Sequence, residues 1–410
     1  MSWLPRRALV LGLAVTGEAA ALALAAQGVE VVVADRSPDA RPGRLAGTGV
    51  ELRLGTEDEG LLTGVDLVVK SPGVPVRSPL AAAALARGIP LWSEIELGWR
   101  LLAGNPVLGV TGTKGKTTTV RLLGAMFAAA GRDAVLAGNE HTPLSEVALT
   151  VEPGAWIVCE LSSFQLENVE TLACEIAVLL NVAPDHLDRH ETFEAYRDAK
   201  LRIFERSHVQ VVPRGMGLDG IEFAADDPLP AEPLMPGAHN RENAAAATAA
   251  ARAAGLNDEA IAEALRTFAG VPHRLELVRE LRGVRYVNDS KATNTAAARR
   301  GVAAYDAPLH VIFGGSLKGE DFGPLAAELP ANVRSIHLIG AATDQLAAAL
   351  DAAGRAYERD GDLVTAERRA YELAQPGDVV LLSPACASYD QFDNYERRGE
   401  AFRRLVEELS

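Results

Sequence analysis

VLGVTGTKGKTTTV, residues 107–120, is the stretch on which the fold turns. Val107–Thr111 is apolar enough for a buried strand, and Thr117–Ala130 has the spacing of a helix. Between them lies a Gly/Lys-rich turn made of Gly112, Thr113, Lys114, Gly115 and Lys116. Glycines let consecutive backbone N–H groups turn inward, and a helix N-terminus adds partial positive charge, so such a strand–turn–helix cradles phosphates. Lys116 can reach terminal phosphates, and the Thr117 hydroxyl suits Mg²⁺. The full phosphate-loop pattern is not met, because Val110 stands where its first glycine falls.

Outward from this turn the chain keeps the same rhythm. Upstream come strand Ala8–Leu11, helix Glu18–Gln27, strand Glu30–Ala34 and strands around Val50–Leu54 and Asp66–Lys70. The turn Ser71-Pro72-Gly73 follows, then a helix-like stretch over Trp92–Gly104. Downstream lie strands Ala155–Glu160 and Glu175–Asn181 and an Ala-rich helix, Asn243–Ala254. After the break at Gly270-Val271-Pro272, strands are expected at Arg285–Val287, His310–Phe313, Ser335–Ile339 and Val379–Ser383. Strands separated by helices predict parallel sheets with right-handed crossovers. The fold expected is α/β in three domains: Rossmann-like over 1–93, a central P-loop mononucleotide-binding domain over 94–270, and Rossmann-like again over 271–410.

Bulk composition narrows the class. A chain of 410 residues exceeds one ordinary core. Its net charge of −15 argues against nucleic acid or an anionic membrane as partner. Three cysteines without CxxC spacing fit a reducing compartment rather than a disulfide framework. Arg6 and Arg7 before an apolar run imitate a secretion signal, but Glu18 interrupts it and a second strand follows. With no run of about 20 apolar residues to cross a bilayer, a cytoplasmic protein is expected.

Further polar groups stand just after apolar strands, where ligands of parallel sheets bind. Glu160 in CELSSF falls beside the phosphate turn, as a Mg²⁺ ligand or as part of a helix cap. His186, in NVAPDHLD, is a metal ligand or an ordinary loop residue, and Lys200 lies toward the middle of a predicted helix. GLAVTG at 12–17 with Asp35 imitates a dinucleotide fingerprint, weakened by Ala14 at the middle glycine position. In the last domain PHR (272–274), NDSKATN (288–294), GGSLKG (314–319) and SPACAS (383–388) make a rim suited to anions.

Together GTKGKTTT, ELSSFQLE, NVAPDHLDRH, YRDAKLRIF, HNRENAAAA, PHRLE, NDSKATN and SPACASYDQF, in this order, resemble the Mur ligase family across essentially the whole chain. The resemblance implies an ATP-dependent amide ligase that adds D-glutamate to UDP-N-acetylmuramoyl-L-alanine through an acyl phosphate. It implies ATP phosphates on Gly112–Thr117 with Thr118, and two Mg²⁺ ions held by Thr117, Glu160, His186 and Lys200 as its carbamate. A carbamate replaces a repelled ammonium with an oxygen ligand. Asn240 and Asn243 would approach adenine, Asp289 the ribose, and Arg274 and Lys291 the γ-phosphate. Thr293, Lys318, Ser388 and Tyr395 would grip D-glutamate. Thr16, Asp35, Arg36, Ser71, Gly73, Asn139 and His186 would meet the UDP substrate. Lys116, His186, Lys200, Arg274 and Lys291 would be the catalytic set, and a monomer is expected.

Two departures from the family pattern bear on the site. Lys114 stands where Asn is common, and GNEHTP (138–143) carries Glu140 and His141 in place of the usual GNIGxP residues. The rival readings are an NAD-dependent oxidoreductase, a non-catalytic nucleotide-binding regulator and a sister ligase for another amino acid. NDSKATN and SPACAS are explained by neither of the first two.

Overall fold

The apolar runs become the strands of three sheets, almost wholly parallel, as helical crossovers require. The structure is a computed structural model that describes residues 3–235, 237–317 and 319–410. The first sheet holds β1 (Arg7–Leu11), β2 (Glu30–Asp35), β3 (Glu51–Leu54), β4 (Leu67–Lys70) and β5 (Leu91–Ser93) in the order β3-β2-β1-β4-β5. The second holds β6 (Val107–Thr111), β7 (Ala134–Gly138), β8 (Trp156–Glu160), β9 (Ile176–Leu179), β10 (Val209–Pro213) and β11 (Ile221–Phe223) in the order β11-β10-β9-β6-β8-β7. All pairs in both are parallel. The third holds β12 (Glu276–Leu281), β13 (Val284–Asn288), β14 (Leu309–Gly314), β15 (Val333–Ile339), β16 (Glu358–Gly361) and β17 (Val379–Leu382), ordered β12-β13-β17-β14-β15-β16. The first two sheets belong to one compact unit, Met1–Phe268, and the third to another, Ala269–Ser410.

Differences from the sequence reading have local causes. The strand β12 was not anticipated; it pairs antiparallel with β13. Arg282 and Gly283 join them, both with positive φ (53° and 78°), a two-residue turn whose twist suits a hairpin. Trp92 belongs to β5, and the following helix is only Glu94–Leu101, begun by Ser93, whose Oγ accepts from Glu96 N–H at 3.4 Å. The Ala-rich helix starts at Ala238, which puts Asn240 and Asn243 in its opening turns. Lys200 sits in the last turn of Phe193–Leu201, not in a helix middle.

Both faces of each sheet are covered at its centre, so the inner strands β6, β9 and β17 are buried at every residue, while the edge strands β3, β12 and β16 are partly exposed. Helix Lys116–Ala129 seals one face of the second sheet with Val120, Leu123 and Phe127 against Ala246, Ala250 and Leu265. No helix among the described residues is long and apolar enough to cross a membrane.

The first two sheets are tied by buried carboxylates that the sequence did not flag. Glu94 accepts Ser145 N–H at 2.6 Å. Glu96, with no side-chain exposure, accepts the backbone N–H groups of Glu170, Thr171 and Leu172 at 2.9–3.1 Å, and Arg100 at 2.6 Å. Burial pushes this carboxyl up, but the bonds from Thr171, Glu170 and Arg100 outweigh it and leave it below the ordinary 4.5. A depressed carboxyl stabilises the fold above its unfolded value and loses that contribution as pH falls through the folded value. Glu96→Ala should therefore lower stability at pH 7 by about 3 kcal/mol, by stranding several buried donors. Chemical denaturation at pH 7 and pH 3 should show the deficit shrinking in acid.

Candidate active site

The carboxyl ends of β6, β8 and β9 lie side by side, so the loops after them converge. After β6, Gly112 (φ 156°) and Gly115 (φ 87°) take backbone shapes open to glycine, and Gly115 begins the helix Lys116–Ala129. A Cβ on Gly115 would come within 2.2 Å of Asn243 Oδ1, so the helix Ala238–Ala253 packs directly on the turn. The loop after β9 braces the other side. Thr113 N–H donates to Asn181 O at 3.0 Å, Lys114 N–H to Asn181 Oδ1 at 2.9 Å, and Asn181 Nδ2 returns a bond to Lys114 O at 3.1 Å. Thr113 Oγ1 also meets Tyr196 Oη at 3.0 Å.

Two lysines converge on this turn. Lys116 Nζ donates to Gly112 O at 2.8 Å and Thr113 O at 3.2 Å. Lys200 Nζ, on a side chain 1 % exposed, donates to Gly112 O at 2.9 Å and lies 4.7 Å from the Tyr196 ring centre. Burial, then the charge of Lys116, pull the Lys200 amine down to about 7. Near neutrality it is thus partly a free, nucleophilic amine.

Glu160 closes the site from the end of β8. It is 1 % exposed and bonded at Oε1 by Asn139 Nδ2 at 3.3 Å, with the Thr117 hydroxyl close enough to favour its charged form. Its Oε2 is buried, and no hydrogen-bond donor reaches it among the described residues. Burial holds this carboxyl above its usual range despite nearby Lys116. A buried carboxylate oxygen left open beside a threonine hydroxyl and a phosphate turn fits a hard divalent cation such as Mg²⁺. His186 stands at the start of a short helix (φ 51°), half exposed, with its ring 5.0 Å from Phe164 and 6.2 Å from Tyr196. No group of three or more His, Cys, Asp or Glu residues arranged to hold a metal occurs among the described residues.

In the first sheet β1 and β4 are neighbours where the strand order reverses, the usual ligand crevice. Ser71 Oγ donates to Gly12 O at 3.1 Å there, and Thr16 lies in the first turn of helix Val15–Ala26. Asp35 is turned to its own loops: Oδ2 accepts Leu13 N–H at 2.7 Å and Oδ1 accepts Ser37 N–H at 2.8 Å. Arg36 and Gly73 are exposed. Arg189 Nη2 donates to Pro72 O, Val74 O and Glu167, fastening the Ser71–Gly73 turn to the segment after His186.

The second unit carries its own polar rim. Lys291 Nζ is 5.7 Å from the Tyr395 ring centre, and Thr293 N–H donates to Lys291 O at 2.8 Å. Arg274 is half-buried with its charge felt by Asp289. Asp289 is 5 % exposed and engaged inside the unit, accepting from Ser383 Oγ at 2.8 Å and Leu275 N–H at 3.2 Å. Burial raises it to about 7. Ser388 is buried, and Lys318 lies outside the described residues.

Several residues that shape these loops escaped the sequence reading. Asn181 and Tyr196 sat inside quoted motifs, and their polar ends after an apolar strand and on a short helix were the available signal. Arg398 gave none: one arginine among several in a charged helix, it is 1 % exposed and grips three rim loops.

Successive α/β sheets with a glycine turn after the central strand of the second define a class, enzymes that hold nucleotide phosphates on that turn. Residues 6–93 match the N-terminal domain of MurD-like Mur ligases, 110–214 the Mur ligase middle domain, and 273–386 the Mur ligase glutamate ligase domain. The chain is 44% identical to a UDP-N-acetylmuramoylalanine--D-glutamate ligase of Anaeromyxobacter dehalogenans, over 98% of this chain and 97% of that one. It is 40% identical to the protein of the same name from Geobacillus kaustophilus, over 98% of each. Among solved structures, UDP-N-acetylmuramate-alanine ligase MurC of Thermotoga maritima shares the fold, with a TM-score of 0.55 at 18% identity over 98% of both chains. The chain belongs to the Mur ligase family.

Proposed function

We propose that this chain joins D-glutamate to UDP-N-acetylmuramoyl-L-alanine at the expense of ATP, giving the amide, ADP and phosphate in peptidoglycan precursor synthesis. The observation that carries the reaction type is the open Oε2 of buried Glu160 beside the Thr117 hydroxyl and the Gly112–Thr117 turn. The choice of substrates is supported by the name that the near full-length relatives share.

A carboxylate cannot be displaced directly, because it would have to expel oxide. In this reading its oxygen attacks the γ-phosphorus in line, the bond to the β–γ bridging oxygen breaks, and ADP departs. The D-glutamate amine then adds to the acyl phosphate carbonyl, phosphate leaves with the C–O bonding pair, and the amine loses its proton. Backbone N–H groups of the turn with Thr118 hold the phosphates. Lys116 exchanges its contacts with Gly112 and Thr113 carbonyls for phosphate oxygens and offsets charge on the transferring group. Mg²⁺, at Thr117, Glu160, His186 and Lys200 as carbamate, would supply further positive charge there.

The reading assigns Asn240 and Asn243 to adenine, Asp289 to the ribose, and Arg274 and Lys291 to the γ-phosphate. It assigns Thr293, Lys318, Ser388 and Tyr395 to D-glutamate, and Thr16, Asp35, Arg36, Ser71, Gly73, Asn139 and His186 to the UDP substrate. The enzyme would work in the cytoplasm, as a monomer, where its nucleotide substrates are made.

ATP-dependent phosphate release with UDP-N-acetylmuramoyl-L-alanine, scanned over amino acids, tests this. Release is expected with D-glutamate. Release with L-lysine or diaminopimelate instead would identify a sister ligase, and ATP binding without release would identify a regulator.

A further inference from the structure

His141 takes no part in the scheme above, yet the fold delivers it to the same carboxylate. Gly138 ends β7 with φ 98°, and a Cβ there would fall 2.1 Å from Glu160 O. This close approach is fastened by Asn139 N–H to Glu160 O at 3.0 Å. The turn is then shut by His141 N–H to Gly138 O at 3.1 Å and Gly138 N–H to Thr142 O at 2.9 Å. The His141 side chain is 8% exposed and its Nε2 lies 3.8 Å from Glu160 Oε2. That separation is too long for a hydrogen bond. Two donors each about 2.1 Å from one octahedral ion lie about 3.0 Å apart when adjacent and about 4.2 Å when opposite, and the observed gap falls between these, so a small side-chain adjustment lets one ion bridge the pair.

We propose that His141 Nε2 is a ligand, with Glu160 Oε2 and Thr117 Oγ1, of a divalent cation at this site, and that its imidazole biases the site toward borderline transition ions over Mg²⁺. Mg²⁺ favours oxygen donors and gains little from imidazole, whereas Co²⁺ gains more. The proposal rests on the assignment of Glu160 as the cation's carboxylate, and deepens it by naming the class of ion.

Co²⁺ alone serves as the probe, added to the untagged full chain and followed by its visible absorption, with Mg²⁺ as competitor. In His141→Gly the Mg²⁺ concentration that displaces half of the Co²⁺ should fall by about tenfold or more. His141→Gln, which keeps a side chain in the turn, should behave alike, and circular dichroism checks that both variants are folded. An unchanged Co²⁺/Mg²⁺ competition in both folded variants overturns the proposal. Glu160→Gln separates the two assignments: Co²⁺ binding that survives it removes Glu160 itself from the cation site. Binding lost in Glu160→Gln but unaltered by the His141 variants leaves the Glu160 assignment standing and sinks only the imidazole.

Discussion

Replacing Lys200 by alanine is expected to cut phosphate release by about a thousandfold or more, the scale of losing a preorganised charge partner of the reacting group. The side chain is buried, its Nζ is bonded to Gly112 O at 2.9 Å, and its amine is drawn down to about 7. An ammonium there would repel a neighbouring cation. A free amine can instead add CO₂, forming an N–C bond and releasing one proton, and the carbamate N–H can still donate to the Gly112 carbonyl. Because only the unprotonated amine reacts, activity at limiting CO₂ should climb as pH rises through about 7. Bicarbonate should not rescue Lys200→Ala, which has no amine to modify, whereas a short carboxylic acid such as acetate should do so in part. Activity of the alanine variant within tenfold of the parent would remove Lys200 from the mechanism.

Arg398→Ala is expected to have the largest effect on the stability of the second unit. The guanidinium donates to Ser290 Oγ at 3.0 Å and to the carbonyls of Ser290, Cys386, Ala387 and Gly314 at 2.9, 3.0, 3.2 and 3.4 Å. Burial pulls it down to about 10, and no carboxylate hydrogen-bonds to it among these contacts. Its charge is therefore balanced by oriented backbone dipoles from the loops after β13, β14 and β17. Removing it takes the guanidinium from four inward-facing carbonyls, of which Ala387 O keeps the Ser316 N–H at 2.8 Å, and should cost about 3–5 kcal/mol, about a 10–15 °C drop in melting temperature for a unit of this size. Arg398→Lys should recover only part, since an ammonium cannot span the same fork. Hydrogen exchange should accelerate at β13, β14 and β17 and stay unchanged at β6. A melting temperature within about 2 °C of the parent would show that the loops hold without it.

Much of the architecture was readable in the chain because burial on both faces leaves a strong local mark. β6 was predicted with its observed ends, Val107–Thr111, since every residue of it must be apolar or small, and the glycine turn that follows admits few other shapes. β12 was missed for the opposite reason. As an edge strand with most of its residues partly exposed, it carries a mixed sequence, Glu276–Leu281, whose pairing is made by the Arg282-Gly283 turn. Asp35 shows a polar residue whose position was legible and whose use was not: at the end of β2 as expected, it spends both oxygens on nearby backbone N–H groups.

The sequence by itself determined the three α/β sheets, the phosphate turn and the identity of the chemical groups after β6, β8 and β9. Periodicity, glycine placement and strand ends are local properties of the chain, and the family resemblance rests on the same local strings. Only the tertiary structure decided which groups share a space. It put Lys200 on the carbonyl of Gly112, His141 beside Glu160, and Arg398 beneath three loops, pairings that join residues up to 108 apart in the chain. Burial and dielectric environment follow from those long-range contacts, and they turn an ordinary surface residue type into a free amine or an unsolvated cation.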